Sequence, residues 1–127
     1  MNGKRDVMVY VTGQRTCERL IREGAQIAGI KGVGVHVVHV AHEGERFISS
    51  AENEAEALEY LLRRSNDVGA DMTVLHARDP KAALCDYAVR NGIGCVVLGV
   101  APGPDALAFA RALEAKLPGV EICPVMA

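Results

Sequence analysis

Short apolar runs alternate with stretches of helical period along this chain. Residues 6–11, from Asp6 to Val11, form an apolar run with β-branched side chains that ends at Thr12-Gly13, the pattern of a buried strand entering a turn. The period then changes. Cys17, Leu20, Ile21, Gly24, Ala25 and Ala28 share one helical face and Arg15, Glu18, Arg22 and Gln26 lie opposite, with Gly29 as the expected stop. Residues 33–40 are apolar on both faces although they hold His36 and His39, as expected of a parallel strand covered by helices on both sides. A polar loop is expected over 41–48. Ser49 and Glu52 then match a capping box, and Leu58, Leu61, Leu62, Ser65 and Val68 keep helical spacing up to Gly69.

Residues 72–77 read as a third strand. Asp79-Pro80 follows, an N-cap residue and a proline at the first helical position, opening a helix that runs through Arg90 and stops at Gly92. Residues 94–99 read as a fourth strand, Pro104-Asp105 as the start of a last helix ending at Pro118-Gly119, and residues 120–126 as a fifth strand. Pro124 cannot donate to a ladder, so that strand belongs at a sheet edge. Strict alternation of strand and helix with short connections implies an α/β fold: one parallel sheet of five strands with helices on both faces and right-handed crossovers. No linker or repeat interrupts it, so residues 1–127 read as a single domain.

Composition narrows the function classes. Half of the 127 residues are hydrophobic, which excludes intrinsic disorder. The formal net charge is −2 and the charges are scattered, giving no electrostatic footprint for nucleic acid or an anionic membrane. With aromatic residues at 4 % and no Trp, base-stacking platforms are not expected either. No run approaches the roughly 20 apolar residues of a membrane span, and the start of the chain lacks a signal-peptide pattern. A cytoplasmic location is therefore expected. Cys17, Cys85, Cys95 and Cys123 are far apart in sequence without a Cys-x-x-Cys, so they read as small apolar side chains and no metal site is signalled.

In an open α/β sheet, ligands sit outside the carboxyl ends of the strands, where the winding reverses. The residues there carry a resemblance. Val9-Tyr10-Val11-Thr12-Gly13, the helix segment Glu18-Arg19-Leu20-Ile21-Arg22 and the His36-to-Val40 strand are similar to the start of a universal stress protein domain. So are Gly69-Ala70-Asp71-Met72-Thr73-Val74, Asp79-Pro80, the Cys95-to-Gly99 strand and Cys123-Pro124-Val125, and together the pieces span Asp6 to Val125. The 17–28 helix and the 55–75 block most resemble the module of this type in Kdp-type potassium sensor kinases, which here would stand alone. The resemblance implies an adenine-nucleotide alpha-hydrolase-like sheet of order 3-2-1-4-5, homodimers through the last strand, and in some members ATP. That ATP is held by an Asp after the first strand and a Gly-x-x-Gly-x9-Gly-Ser/Thr motif after the fourth.

This chain departs from the ATP pattern at each point. Thr12 stands at the Asp position. Gly99 fits the first glycine, but Pro102 follows three residues later and Gly103 comes one place late. No Ser or Thr occurs after Thr73, and two prolines remove N–H donors from the loop. The expected site is accordingly a degenerate nucleotide pocket between Thr12-Gly13 and Gly99–Gly103, lined by Val40 and Arg78. No cofactor is assigned, with ATP left as an alternative. The paired serines and aromatic-Thr-Ala-x-Tyr signature of cyclic-dinucleotide binders are not visible.

Other constellations are weaker. His39, His42 and His76 fall near the carboxyl ends of neighbouring strands, where three imidazoles could ligate zinc, but packed or solvent-facing imidazoles are the favoured reading and no metal ligand is assigned. Cys17 sits early in a helix yet on its apolar face. Glu52, Glu54 and Glu56 read as a solvated face near a helix N-terminus, and Arg63-Arg64 as cations suited to the other end. No catalytic residue is assigned. The expectation is a small cytoplasmic universal-stress-type regulatory or binding protein, not an enzyme and without family-style ATP binding. It would work as a homodimer through the edge strand from Val120 to Met126. The alternatives are an ATP-binding, slowly hydrolysing member with an altered phosphate loop, or a binder of another nucleotide.

Overall fold

The computed structural model of the chain describes residues 5–11, 14–42, 51–100, 103–104 and 107–126; side chains 14–16, 42 and 51–58 lie outside that description. Strands β1 (Asp6–Tyr10), β2 (Val35–His42), β3 (Asp71–Ala77), β4 (Ile93–Val100) and β5 (Glu121–Met126) alternate with helices α1 (Gln14–Lys31), α2 (Ala51–Asp67), α3 (Pro80–Arg90) and α4 (Ala108–Lys116). All the strand pairs are parallel and the order is β3-β2-β1-β4-β5, as expected. The strand that carries Pro124 is at the edge.

Strand alternation builds two cores. Val7 and Val9 of β1, Val37 of β2 and Cys95 and Val97 of β4 meet Cys17, Leu20, Ile21, Ala28 of α1 and Leu61 of α2 on one face. Met8, Val38, Val96 and Leu98 meet Leu84 and Ala88 of α3 and Ala110 and Leu113 of α4 on the other. The central strands are therefore buried on both sides, which is why their sequence is apolar without alternation. The one buried polar side chain among the described residues, Ser65, is satisfied within its helix by donating to the Leu61 carbonyl at 2.7 Å.

Several boundaries differ from expectation. α1 runs through Gly29 to Lys31, because Gly29 is solvent-facing and keeps a negative φ; the stop is Gly32, at φ 70°. That left-handed residue lets the Val33 N–H reach back to the Ala28 carbonyl at 3.0 Å and close the helix end. β2 extends to His42, held by pairing of Ala41 with His76 and of His42 with Ala77, so the polar loop begins later than residue 41. α4 begins at Ala108, four residues beyond Pro104, with Leu107 as its N-cap. Asp79 does cap α3: its carboxylate accepts the Lys81 N–H at 3.1 Å, with Pro80 in the first turn. The proposed capping residue Ser49 lies outside the described residues. No described helix is long and apolar enough to cross a membrane.

Candidate functional site

The helices following β1 and β2 cover one face and those following β3 and β4 the other. Winding therefore reverses between β1 and β4, and the crevice for a ligand opens beyond their carboxyl ends. Of the six residues expected there, Thr12 and Gly13 lie outside the described residues. Val40 is half-buried on the α3/α4 face, in the neighbourhood of Tyr10, Leu75 and Phe109. The Tyr10 and Phe109 rings stack at 5.6 Å against the core on that face. Gly99 belongs to the opposite face. A Cβ there would lie 3.3 Å from Leu20 Cδ1, so the missing side chain lets α1 seat closely on β4. Arg78 is exposed just beyond β3, and Gly103 is exposed at φ 146° beyond β4. Val40 and Gly99 thus flank β1 on opposite faces, and Arg78 stands two strands from β1.

Of the helix N-termini at this end, those of α3 and α4 have described caps, and they differ. In α3 the Asp79 carboxylate occupies the place an anion would take. In α4 the N-cap residue is Leu107, whose side chain makes no cap bond to the first-turn amides.

The histidines separate into individual roles. His39 Nδ1–H donates to the Val11 carbonyl at 3.0 Å, tying β2 to the end of β1. His76 is exposed on the same sheet face, and position 42 lies within β2. His36, counted in the sequence only as a strand residue, anchors a network at the opposite end of the sheet. Its Nε2–H donates to Asp6 Oδ2 at 2.8 Å, its Nδ1 meets the Tyr87 hydroxyl at 2.9 Å, and Thr73 Oγ1 lies 3.4 Å from that hydroxyl. Asp6 Oδ1 accepts the Gly34 N–H at 3.0 Å. The His36 hydrogen bond, then the Gly34 amide, hold the Asp6 carboxyl below its usual range. With neutral imidazole the protons run in one direction, from Thr73 through Tyr87 and His36 to Asp6. The network joins β1, β2, β3 and α3. Its directly bonded partners are up to 51 residues apart, so no local motif announces it.

Cys17 is fully buried and burial pushes its thiol up, consistent with core packing rather than a nucleophile. Glu18 accepts from the Tyr60 hydroxyl at 2.8 Å and pairs with Arg22, and Arg63 and Arg64 pair with Glu59 and Asp67. The Glu52, Glu54 and Glu56 side chains lie outside the description. Cysteines far apart in sequence are brought together in one case: Cys95 and Cys123 Sγ are 3.5 Å apart. A groove of about 260 Å³ separates α4 from β5, between Leu107, Ala110, Arg111, Glu114, Ile122 and Pro124.

The model of the universal stress protein family matches residues 4–117. No curated protein matches the chain in sequence. Among solved structures, it is similar to a universal stress protein from Archaeoglobus fulgidus at 21 % identity, covering 95 % of this chain and 93 % of that one with a TM-score of 0.73. A structure of the Archaeoglobus fulgidus universal stress protein in complex with dAMP matches at 20 % identity, 97 % and 98 % coverage and a TM-score of 0.68. A universal stress protein family protein from Arabidopsis thaliana with AMP bound matches at 13 % identity, 94 % and 90 % coverage and a TM-score of 0.55. At these identities the likeness is one of fold.

Proposed function

Because this chain belongs to the universal stress protein family, we propose that it is a small cytoplasmic regulatory or binding module rather than an enzyme, and that it does not hold ATP by the family's phosphate motif. The observation that carries this reading is the start of α4. That helix opens on Leu107, which has no hydroxyl to donate to a phosphate. Before it, Gly103 stands between Pro102 and Pro104, so two amide donors are missing from the turn. Gly99, the glycine that does match, serves the seating of Leu20. The finer kinship, with the module of Kdp-type potassium sensor kinases, rests on the 17–28 and 55–75 blocks and belongs to the same proposal.

Assembly completes it. Among the described strands β5 pairs only with β4, leaving one row of backbone donors and acceptors unpaired by them. Beside that edge Met126 is 55 % and Leu107 40 % exposed. A second copy joined through β5 about a two-fold axis would cover both and the α4–β5 groove.

A second reading has its own support: Leu107 places no side-chain cap bond on the amides that open α4, and relatives were solved with dAMP and AMP. Under it the crevice takes an adenine nucleotide in an altered pose, one phosphate on those amides. ATP held with slow hydrolysis is one form of this. A thermal-shift panel of Mg-ATP, AMP, dAMP and cAMP separates the two. A ligand at one hundred times its Kd stabilises by about 2.7 kcal/mol, or about 10 °C in a domain of this size. Mg-ATP is expected to leave the Tm unchanged. Co-purified ATP, or a rise of that size with ATP, overturns the first reading; a rise with AMP or dAMP alone establishes the second.

A further inference from the structure

The register of β4 against β5 pairs Cys95 with Glu121 and Val97 with Cys123. Residues 95, 121 and 123 therefore share the α1 face of the sheet, at the amino-terminal end of both strands and away from the crevice. The Cys95 and Cys123 sulfurs are 3.5 Å apart, and one ligand atom from each of Cys95, Cys123 and Glu121 lies within 4.8 Å of the others. We propose that Cys95, Cys123 and Glu121 bind a zinc ion, with water in the fourth position.

The separation suits a bridging cation better than a covalent bond between the sulfurs. Two zinc–sulfur bonds of about 2.3 Å at a tetrahedral angle hold the sulfurs about 3.8 Å apart. A disulfide needs Cα atoms within about 7 Å. Diagonal positions on neighbouring parallel strands are about 8 Å apart, from about 4.8 Å across and two rises of about 3.3 Å. A cation spans that diagonal without moving either strand.

The surroundings suit the ion as well. Cys95 is fully buried, Cys123 half-buried and Glu121 exposed, so the site has a dry sulfur floor and one wet side for entry and for water. When the sulfur–zinc bonds form, both thiol protons leave to solvent. A dication with two thiolates and one carboxylate then carries a single negative charge. Lys31, at the end of α1, lies 3.3 Å from Glu121 Oε1 and balances it. Without a cation both sulfurs stay protonated, since burial raises the Cys123 thiol and pushes that of Cys95 up to about 12. The bound ion would fasten the edge strand to β4, a role separate from any ligand in the crevice.

Cobalt titration of the reduced full chain tests this, because thiolate coordination gives a sulfur-to-cobalt charge-transfer band and tetrahedral geometry gives intense d–d bands. The expected result is saturation at one cobalt per chain, displacement by zinc, and a rise in Tm with zinc. Glu121→Gln, on the exposed residue, should keep the charge-transfer band while weakening binding by roughly tenfold or more. Cys123→Ser should halve the band or abolish it, with the fold checked by far-UV circular dichroism; Cys85→Ala should leave it intact. Absence of the band in the unmodified protein, or a band and affinity unchanged in both Cys123→Ser and Glu121→Gln, overturns the proposal. So does a mass two hydrogens lower with Cys95 linked to Cys123.

Discussion

Two glycines in α1 make opposite predictions for the same substitution. Gly29 faces solvent, and a Cβ built on it meets nothing within 4 Å. Alanine there gains the helix preference over glycine, about 1 kcal/mol, with no steric cost. Gly24 is buried against β1. Its Cβ would fall far inside contact with Val9 Cγ2, with Val9 Cβ at 3.7 Å and Val7 Cγ1 at 3.8 Å behind it. Val9 is fully buried and β-branched, so it has no free rotamer to retreat into. The same preference must then be set against overpacking of about 1–3 kcal/mol. Gly29→Ala should stabilise by about 1 kcal/mol and Gly24→Ala should destabilise by about 1 kcal/mol, taking the middle of that range. Their difference is the firmer quantity, because the intrinsic preference cancels and only the packing term of about 1–3 kcal/mol remains. At roughly 4 °C per kcal/mol, the two variants should melt about 4–12 °C apart. Urea unfolding followed by circular dichroism measures both against the parent at a common slope. A Gly24→Ala protein as stable as Gly29→Ala would refute the close seating of α1 on β1.

The remaining predictions follow from single contacts. Asp79→Ala removes the α3 cap and should cost about 1 kcal/mol in the same urea assay. Asp6 has a folded pKa below its unfolded one, so its contribution to stability is present above about pH 4 and is lost as pH falls through the folded value. The stability gap between the parent and Asp6→Asn, measured by denaturant titration across pH, should close below about pH 4; a gap that widens there contradicts the His36 contact as its source. For assembly, the exposed Leu107 and Met126 are the positions to change, since Ile122 and Val125 are packed against the cores. Leu107→Lys with Met126→Lys should convert a dimer into a folded monomer by light scattering, and a parent protein monomeric at high micromolar concentration ends the dimer reading.

What the sequence made legible was set by neighbours in the chain. Strand and helix order, the Asp79 cap and the edge position of Pro124 each depend on local period or on a single residue's chemistry. The misplaced boundaries have physical causes too. Gly29 has glycine's freedom and does not use it, while Gly32 does, and composition alone cannot rank the two. At α4, prolines at 102 and 104 thin the donors before the helix, which forms only from Ala108. The expected crevice residues were placed by strand ends, but alternation along β2 and β4 sends Val40 and Gly99 to different faces. Least legible were contacts made by register. Cys95 and Cys123 meet across 28 residues only because β4 and β5 pair as they do, and His36 meets Asp6 across 30. Once the strand order and β4–β5 register are known, matching the same-face residues of adjacent strands would have found the sulfur pair.

α1 links the parts of the molecule for which roles are proposed. Leu20 rests on Gly99 near the carboxyl end of β4, while Lys31, at the helix's last turn, holds Glu121 at the start of β5. The helix thus bears on the crevice and on the thiol cluster from opposite ends, and Gly24 is the close contact between them. Asp79 touches neither. Gly24→Ala and Asp79→Ala are expected to cost similar stability, so a comparison of the two separates general loosening from displacement of α1. If α1 positions both sites, Gly24→Ala should weaken cobalt binding at Cys95 and Cys123 while Asp79→Ala leaves it at the parental level. Equal weakening in both would assign the effect to lost stability alone, and the helix would then be a cover for the sheet rather than the element that sets its two ends.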